Sequence, residues 1–524
     1  MVVTGFQEMD VSRSGSFIRV PELGVNPALT LFIRDVFKTV FKALCEAFDG
    51  CRYVALNGTS GVGKSSYCVV LVRQLMSLLE SADRSLPDIV MFADMVERRR
   101  LRQSTRIVVS AGTACRSYWS FALNNGAWTC LRHTNKNQLE LRDDDIAIWD
   151  SQEPADERVG YHLLITSLSS QSRFRQYRKR AVSVLFPIWN WDEYNRALLG
   201  FPSAVRGDPA RLYAIWGGVM RPVLLNGRCT EEGATEDLRR AVRQCAGAHA
   251  MDILSGSSDD DPEQNVRASG SAIVHAMPMK GLVDLEASDL LDTDVRRVFA
   301  TPNVRSMWFS YVSCMKRGFA GTLLSRRDSR LFPALLEDRF SIICDKRVRW
   351  SARLVGGSEL LTFRTTGSVV FPGLDAVSIA SVSDGVVGTP TDPTFPTVDF
   401  VLRFIPWCGG FQVTQSSSHA SPAGATIHLI DIMECSAARP FNLIYVILEE
   451  AELSYMRGVQ RFVRGNKCVC AHVIRMSGDT VMLFDCRCAE GRRCGQRCAC
   501  APSVRIVDGL LVLVTGRREV AERA

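Results

Sequence analysis

Residues 58–65, Gly58-Thr59-Ser60-Gly61-Val62-Gly63-Lys64-Ser65, have the types and spacing of a loop that wraps a polyphosphate. Glycines let backbone N–H groups converge on phosphate oxygens at a helix N-terminus, where the helix dipole also favours anions. In such a P-loop Lys64 reaches the outer phosphates and the Ser65 hydroxyl joins a magnesium shell, with Ser66 following in the first helical turn. The expected ligands are therefore ATP or GTP, with Mg²⁺.

Magnesium there also needs an acid at the end of a neighbouring strand. Asp150, directly after the apolar run Ile146-Ala147-Ile148-Trp149, is the best candidate, and Asp94, after Ile89 to Phe92, competes with it. Glu153 could orient a water for hydrolysis. Thr166 and Ser167 end the next apolar run and read either as a sensor of the γ-phosphate or as a strand-end cap.

Two further compositions could carry chemistry. Arg173-Phe174-Arg175-Gln176-Tyr177-Arg178-Lys179-Arg180 interleaves aromatics with cations, which suits phosphate contact and base stacking or a solvated face. Residues 97–102 and 326–330 are further basic clusters. Near the C-terminus Cys486, Cys488, Cys494, Cys498 and Cys500 form C-x-C, a gap of five, then C-x3-C-x-C. Thiolates this dense can bind zinc, but structural sites favour C-x2–4-C knuckles, which this spacing only partly provides, so zinc and merely local thiols both stay open.

The elements that must position these residues can be read from hydrophobic periodicity. Residues 28–48 read as one amphipathic helix, with Leu29, Phe32, Val36, Val40, Phe41 and Leu44 near helical spacing. Tyr53 to Leu56 is a short apolar strand running into the glycine loop, and Tyr67 to Leu79 is helical. Strand, glycine loop and helix in succession are the context a P-loop requires. Apolar runs at Ile107 to Ser110, Ile146 to Trp149, Leu163 to Ser167 and Val182 to Phe186 alternate with helical or polar stretches, which predicts an α/β domain with a mainly parallel sheet and flanking helices.

Beyond it the composition changes. Residues 255–271 are rich in Ser, Gly and Asp and read as an exposed loop; a helical pattern resumes over Leu285 to Leu324. From Phe340 to Ile447 the pattern is strand-rich, and Ile506 to Val514 reads as a closing strand. The resulting division is a lead over 1–19, a P-loop domain over 20–225, a helical region over 226–329, an α/β domain over 330–465 and a Cys-rich tail over 466–524.

Bulk composition sets the frame. The chain has 524 residues, 46% hydrophobic and 23% charged, too long for one ordinary core and too apolar for disorder. A net charge of +7 permits nucleic-acid contact without demanding it. No signal peptide is evident and no apolar run is long enough to span a bilayer, so no membrane partner is expected, and the eighteen cysteines are expected to be mostly free, buried thiols.

Three more stretches, Phe186-Pro187-Ile188-Trp189-Asn190-Trp191-Asp192-Glu193, Trp216-Gly217-Gly218-Val219-Met220-Arg221 and the segment from Phe395 to Val446, follow the P-loop in an order that resembles the Crinkler and retrotransposon hot spot superfamily. The resemblance covers roughly residues 15–460. It implies a P-loop NTPase joined to a C-terminal domain of restriction-endonuclease fold, with residence in the nucleus or cytoplasm. It favours Asp150 over Asp94 and assigns Arg221 a contact with the triphosphate or a neighbouring subunit, although Val219-Met220 replaces the usual Ile-Pro before that arginine. By periodicity alone Trp189 and Trp191 read as core.

In the C-terminal half the resemblance matches Asp399, Gln412, Thr414 and His419 to the family's Asp and its Gln-x-Thr-x-Ser-x-x-His pattern, and Glu337 to its helix glutamate. A nuclease of this fold holds a divalent metal between carboxylates on adjacent strands. Gln412 is neutral and Thr414 supplies no cation, so Asp399 and Glu337 are the only clear Mg²⁺ ligands. His419 could act as a base or orient phosphate. Two readings follow: an ATPase controlling a divergent nuclease, or a nucleotide switch whose nuclease-like half holds DNA or RNA without cutting it.

Overall fold

In the computed structural model the described residues are 9–20, 29–80, 105–110, 118–124, 127–135, 138–152, 154, 159–167, 174–201, 207–225, 230–245, 273–278, 282, 285–291, 295–315, 331–345, 349–354, 359–372, 376–391, 398–404, 407–413, 429–435, 439–448, 469–476, 503–507 and 510–514. The chain folds as two compact units: residues 1–209, 218–231 and 258–298 form the first, and 210–217, 232–257 and 299–524 the second.

The first unit opens with a small antiparallel pair, β1 (Phe17–Val20) and β2 (Leu29–Phe32), with Phe17 opposite Phe32. The helix expected over 28–48 is therefore Val36–Gly50 only, and its first expected turn is a strand. Leu29-Thr30-Leu31-Phe32 satisfies a helical stripe and a strand alternation equally well, and pairing with β1 decides for the strand. The remaining helix buries one face through Phe37, Val40, Ala43, Leu44, Ala47 and Phe48.

Behind it lies a seven-stranded sheet in the order β6-β5-β4-β7-β8-β3-β9. Its strands are β3 (Tyr53–Asn57), β4 (Arg106–Ser110), β5 (Tyr118–Asn124), β6 (Ala127–His133), β7 (Ile146–Asp150), β8 (Tyr161–Ile165) and β9 (Val182–Leu185). The five strands β4-β7-β8-β3-β9 are parallel, as the alternation of apolar runs predicts. β7 and β8 are buried along their whole length, the condition of parallel strands covered on both faces. The antiparallel hairpin β5–β6 extends one edge and was not anticipated. A second difference lies in the segment expected to be helical: β10 (Val274–Met277) and β11 (Arg296–Phe299) form a two-stranded sheet there. At four residues each, they are too short to show a helical period.

The second unit is built on a ten-stranded mixed sheet whose main path is β13-β12-β19-β18-β17-β16-β15-β14. These are β12 (Arg349–Leu354), β13 (Leu360–Arg364), β14 (Gly367–Phe371), β15 (Val386–Pro390), β16 (Phe400–Arg403), β17 (Cys408–Val413), β18 (Phe441–Leu448) and β19 (Val469–Met476). The expected closing strand is a hairpin, β20 (Ser503–Val507) with β21 (Leu510–Val514). Helix Leu331–Asp345 sends Phe340 among Trp350, Phe400 and Phe411, ring centroids about 5 Å apart. No described helix is long and apolar enough to cross a membrane. Among the described residues nine cysteines stand outside any disulfide, of which Cys45, Cys68, Cys245, Cys344 and Cys408 are buried.

Candidate functional site

The glycine loop leaves β3 at Asn57 and enters the helix Lys64–Glu80, so its backbone turns at the C-terminal edge of the parallel sheet. Gly61 and Gly63 hold φ of 85° and 101°, conformations that a side chain would strain. Lys64 folds back into the loop: its Nζ donates to the carbonyls of Gly58 at 2.9 Å and Thr59 at 2.7 Å, and the residue is buried. Ser65 and Ser66 stand in the first turn of the helix, Ser65 exposed.

Three segments hold the loop from outside. Trp189 donates its indole N–H to Val62 O at 2.8 Å, so this core aromatic also fixes the loop. Thr59 accepts from the backbone N of Ala276 in β10 at 2.9 Å. The turn Gly218-Val219-Met220-Arg221 lies against Gly61: Arg221 N donates to Gly61 O at 3.2 Å, and its guanidinium reaches Ser60 Oγ at 3.4 Å. Gly218 is where that turn meets Trp189 most closely, since a Cβ there would lie 2.2 Å from Trp189 O. The replacement of Ile-Pro by Val219-Met220 thus still leaves a turn that delivers Arg221 to the loop. At Gly61 a Cβ would sit 2.9 Å from Val219 Cγ1 and 3.0 Å from Arg221 Cβ. Gly61→Ala is expected to lower stability by about 1–3 kcal/mol in a thermal melt, because Val219 and Arg221 must move outward.

Asp150 ends β7, buried, with its backbone N donating to Ser110 Oγ at 3.1 Å. Its carboxylate accepts from Ser65 and Ser151. β8 lies between β7 and the loop-bearing β3, and Thr166, just past the end of β8, donates its backbone N to Leu56 O at 3.0 Å. The Thr166 hydroxyl turns to Ser167 O at 3.4 Å, the geometry of a strand-end cap.

Lys64, Asp150 and Arg221 thus meet from distant parts of the sequence, and their electrostatics are coupled. Burial, and then the Arg221 guanidinium, pull the Lys64 ammonium down to about 7, with Asp150 opposing. Burial also raises the Asp150 carboxyl, against the hydrogen bonds from Ser65 and Ser151 and the charges of Lys64 and Arg221. Two cations facing one carboxylate at a loop of convergent amides form a site that an anion would relieve.

In the second unit Asp399 precedes β16, and its Oδ2 accepts from Val413 N at 2.6 Å and from the Gln412 amide at 3.2 Å. Glu337 is paired with Arg305 of the helix Pro302–Met315. Asp399 and Gln412 are therefore brought together, while Glu337 is held by a different partner. Among the described residues no group of three or more His, Cys, Asp and Glu is placed to hold a metal. Thr414, His419, Glu153, Asp94, the cysteines Cys486, Cys488, Cys494 and Cys498, and the clusters 97–102 and 326–330 lie outside the described residues.

The stretch 173–180 corrects its base-stacking reading. Phe174 and Tyr177 are buried in the core of the first unit, and Tyr177 donates its hydroxyl to Val54 O and His162 O. Lys179 and Arg180 are exposed. Sequence reasoning also overlooked Arg34 and Glu193, a buried pair 2.8 Å apart that braces the segment carrying Trp189. Arg34 carries no local signal; Glu193, three residues after the N-cap Asn190, has the spacing of a capping box but reaches Arg34 instead. Comparison of the chain with models of known families, with curated proteins and with solved structures finds no match.

Proposed function

We propose that the first unit is a P-loop NTPase domain that binds ATP or GTP with magnesium and hydrolyses it. One observation carries the reading: Lys64, Ser65, Asp150 and Arg221 converge on a glycine loop at the start of a helix, on the C-terminal edge of a parallel sheet. The residues present fit the ligand. The Ser65 hydroxyl and the Asp150 carboxylate, hydrogen-bonded to each other, would help hold magnesium, which would neutralise phosphate charge. Lys64 would exchange two loop carbonyls for phosphate oxygens, and Arg221, exposed beside Ser60, would neutralise charge at the outer phosphate. The resemblance to Crinkler and retrotransposon hot spot proteins points the same way.

For the second unit, the residues favour nucleic-acid engagement without cleavage, controlled by the nucleotide on the first. Asp399 is bonded to a neutral amide and a backbone N–H, and Glu337 is spent on Arg305, so the donor set for a catalytic metal is poor.

The test is magnesium-dependent hydrolysis of ATP and GTP by the wild type and by Asp150→Asn, together with plasmid cleavage by the wild type and by Asp399→Ala. We expect hydrolysis to fall about 10²-fold or more in Asp150→Asn, with triphosphate still bound, and no cleavage by any of the proteins. Hydrolysis by Asp150→Asn at the wild-type rate would remove the magnesium role, and cleavage lost specifically with Asp399→Ala would restore the nuclease.

A further inference from the structure

Two cysteines of the second unit, Cys408 and Cys435, are brought together by separate pieces of local structure. Cys408 opens β17, directly opposite Arg403 across the antiparallel ladder, and its backbone N donates to Pro440 O at 3.2 Å. Cys435 follows the helical turn over 429–432. There Glu434 N donates to Asp431 O and Cys435 N to Ile430 O, each at 3.0 Å, while Glu434 holds φ of 53°. Those two bonds around one left-handed residue form a Schellman ending, in which the next residue turns back to pack on the helix. That residue is Cys435, and it packs against the core cluster that contains Ile430 and Cys408. The two thiols are hydrogen-bonded to each other.

The members of the pair differ in access and in charge. Cys408 is fully buried, whereas Cys435 is half-buried and open to small solutes. Thiolate rather than thiol is the reactive form, and burial pushes the thiols of Cys45, Cys68, Cys245 and Cys344 up. Cys408 goes the other way. The hydrogen bond with Cys435 pulls its thiol down against burial, with the Arg439 and Arg403 guanidiniums adding to the effect.

We propose that Cys408 and Cys435 form a redox-modification site, a thiol pair that a hydroperoxide oxidises reversibly to a disulfide. Cys435, the accessible member, attacks the peroxide first: the O–O bond breaks, its sulfur keeps one oxygen as a sulfenic acid, and an alcohol or water leaves. Cys408 then attacks the Cys435 sulfur, the S–S bond forms, and the sulfenic oxygen leaves as water with the Cys408 proton. Two thiols and one hydroperoxide thus give one disulfide, one alcohol and one water. Thiols in hydrogen-bond contact reach the S–S bonding distance of ~2 Å by side-chain rotation. The new bond ties the start of β17 to the helix ending, and β17 carries the Gln412 and Val413 groups that hold Asp399. The two cysteines stand 27 positions apart and outside the dense cluster at 486–500, so only the fold makes them a pair.

The experiment exposes reduced full-length protein to a small excess of hydrogen peroxide, alkylates the remaining thiols in denaturant and maps the peptides by mass spectrometry. The expected result is a Cys408–Cys435 linked peptide that dithiothreitol splits, with Cys45, Cys68 and Cys344 still recovered as alkylated thiols. In Cys408→Ser, Cys435 should stop at the sulfenic acid and be trapped by dimedone. In Cys435→Ser, Cys408 should stay a thiol at the same peroxide dose, because the accessible partner is gone. Thermal melts of the reduced proteins check that both variants fold, and the wild-type map decides the matter without them. A wild-type map in which Cys435 is oxidised while Cys408 remains an alkylated thiol overturns the proposal. So does a disulfide that joins Cys435 to a cysteine of the 486–500 cluster instead.

Discussion

Lys64→Met is expected to abolish triphosphate binding and, in nucleotide-free protein, to raise the melting temperature at neutral pH. Lys64 is buried and its ammonium is pulled down to about 7, so the folded protein resists protonating it. In the unfolded chain the same group titrates near ~10.4. Between those values the unfolded state holds more protons than the folded one, so wild-type stability rises with pH across about 7 to 10.4. Below about 7 both states are protonated and the penalty for burying the charge is complete. The full displacement corresponds to at most ~4–5 kcal/mol. Leaving the Gly58 and Thr59 carbonyls without the ammonium costs back ~1–3 kcal/mol in the variant. A net gain of at most about 1–4 kcal/mol for Met at pH 6.5 follows, shrinking toward zero or below it by pH 9.5. Mg-ATP should narrow or reverse the difference, since at a hundredfold excess over Kd it adds ~2.7 kcal/mol to the wild type and nothing to a variant that cannot bind. Melts at the two pH values, with and without Mg-ATP, measure all of this. A variant less stable than wild type at pH 6.5, by more than at 9.5, would show that the ammonium is stabilised where it lies.

The geometry of this loop was largely legible because it depends on local patterns. Eight contiguous residues specify a backbone that wraps an anion, and an aspartate directly after a four-residue apolar run specifies a strand end. The sheet order around them was not legible, since nothing in Ile146–Trp149 or Leu163–Ser167 tells which lies nearer to β3. The β5–β6 hairpin was legible and missed: Asn124 pairs with Ala127, and the two residues between are Asn125 and Gly126, a strong hairpin signal. β2 failed for the opposite reason, because its four residues suit two periods and only β1 chooses between them. The titration of Lys64 is a property of burial and of Arg221, 157 positions away, and no reading of the loop alone contains it.

Glu193→Ala is expected to cost about 3–5 kcal/mol, the largest stability loss of any single change considered, and to weaken triphosphate binding at a distance. One oxygen of Glu193, Oε2, accepts from Arg34 Nε at 3.1 Å and Nη2 at 2.8 Å. The other, Oε1, accepts from the backbone N of Asp35 at 2.8 Å and of Val36 at 3.4 Å, so it caps the helix Val36–Gly50 whose own N-cap side chain makes no such bond. Arg34 in turn donates to Pro187 O and Ile188 O and lies 4.4 Å from the Trp189 ring centroid. Trp189 holds Val62 in the glycine loop. Removing the carboxylate therefore leaves a buried guanidinium unpaired, uncaps a helix and loosens the segment that braces the loop. An apolar replacement of both partners, Arg34→Met with Glu193→Leu, should recover much of the stability because no charge is left buried. It cannot recover the carbonyl clamp on Pro187 and Ile188, so triphosphate affinity should stay reduced in the double variant while its melting temperature returns toward wild type. If affinity and stability instead return together, the pair acts on the loop only through global stability, and Trp189 needs no guanidinium to hold Val62.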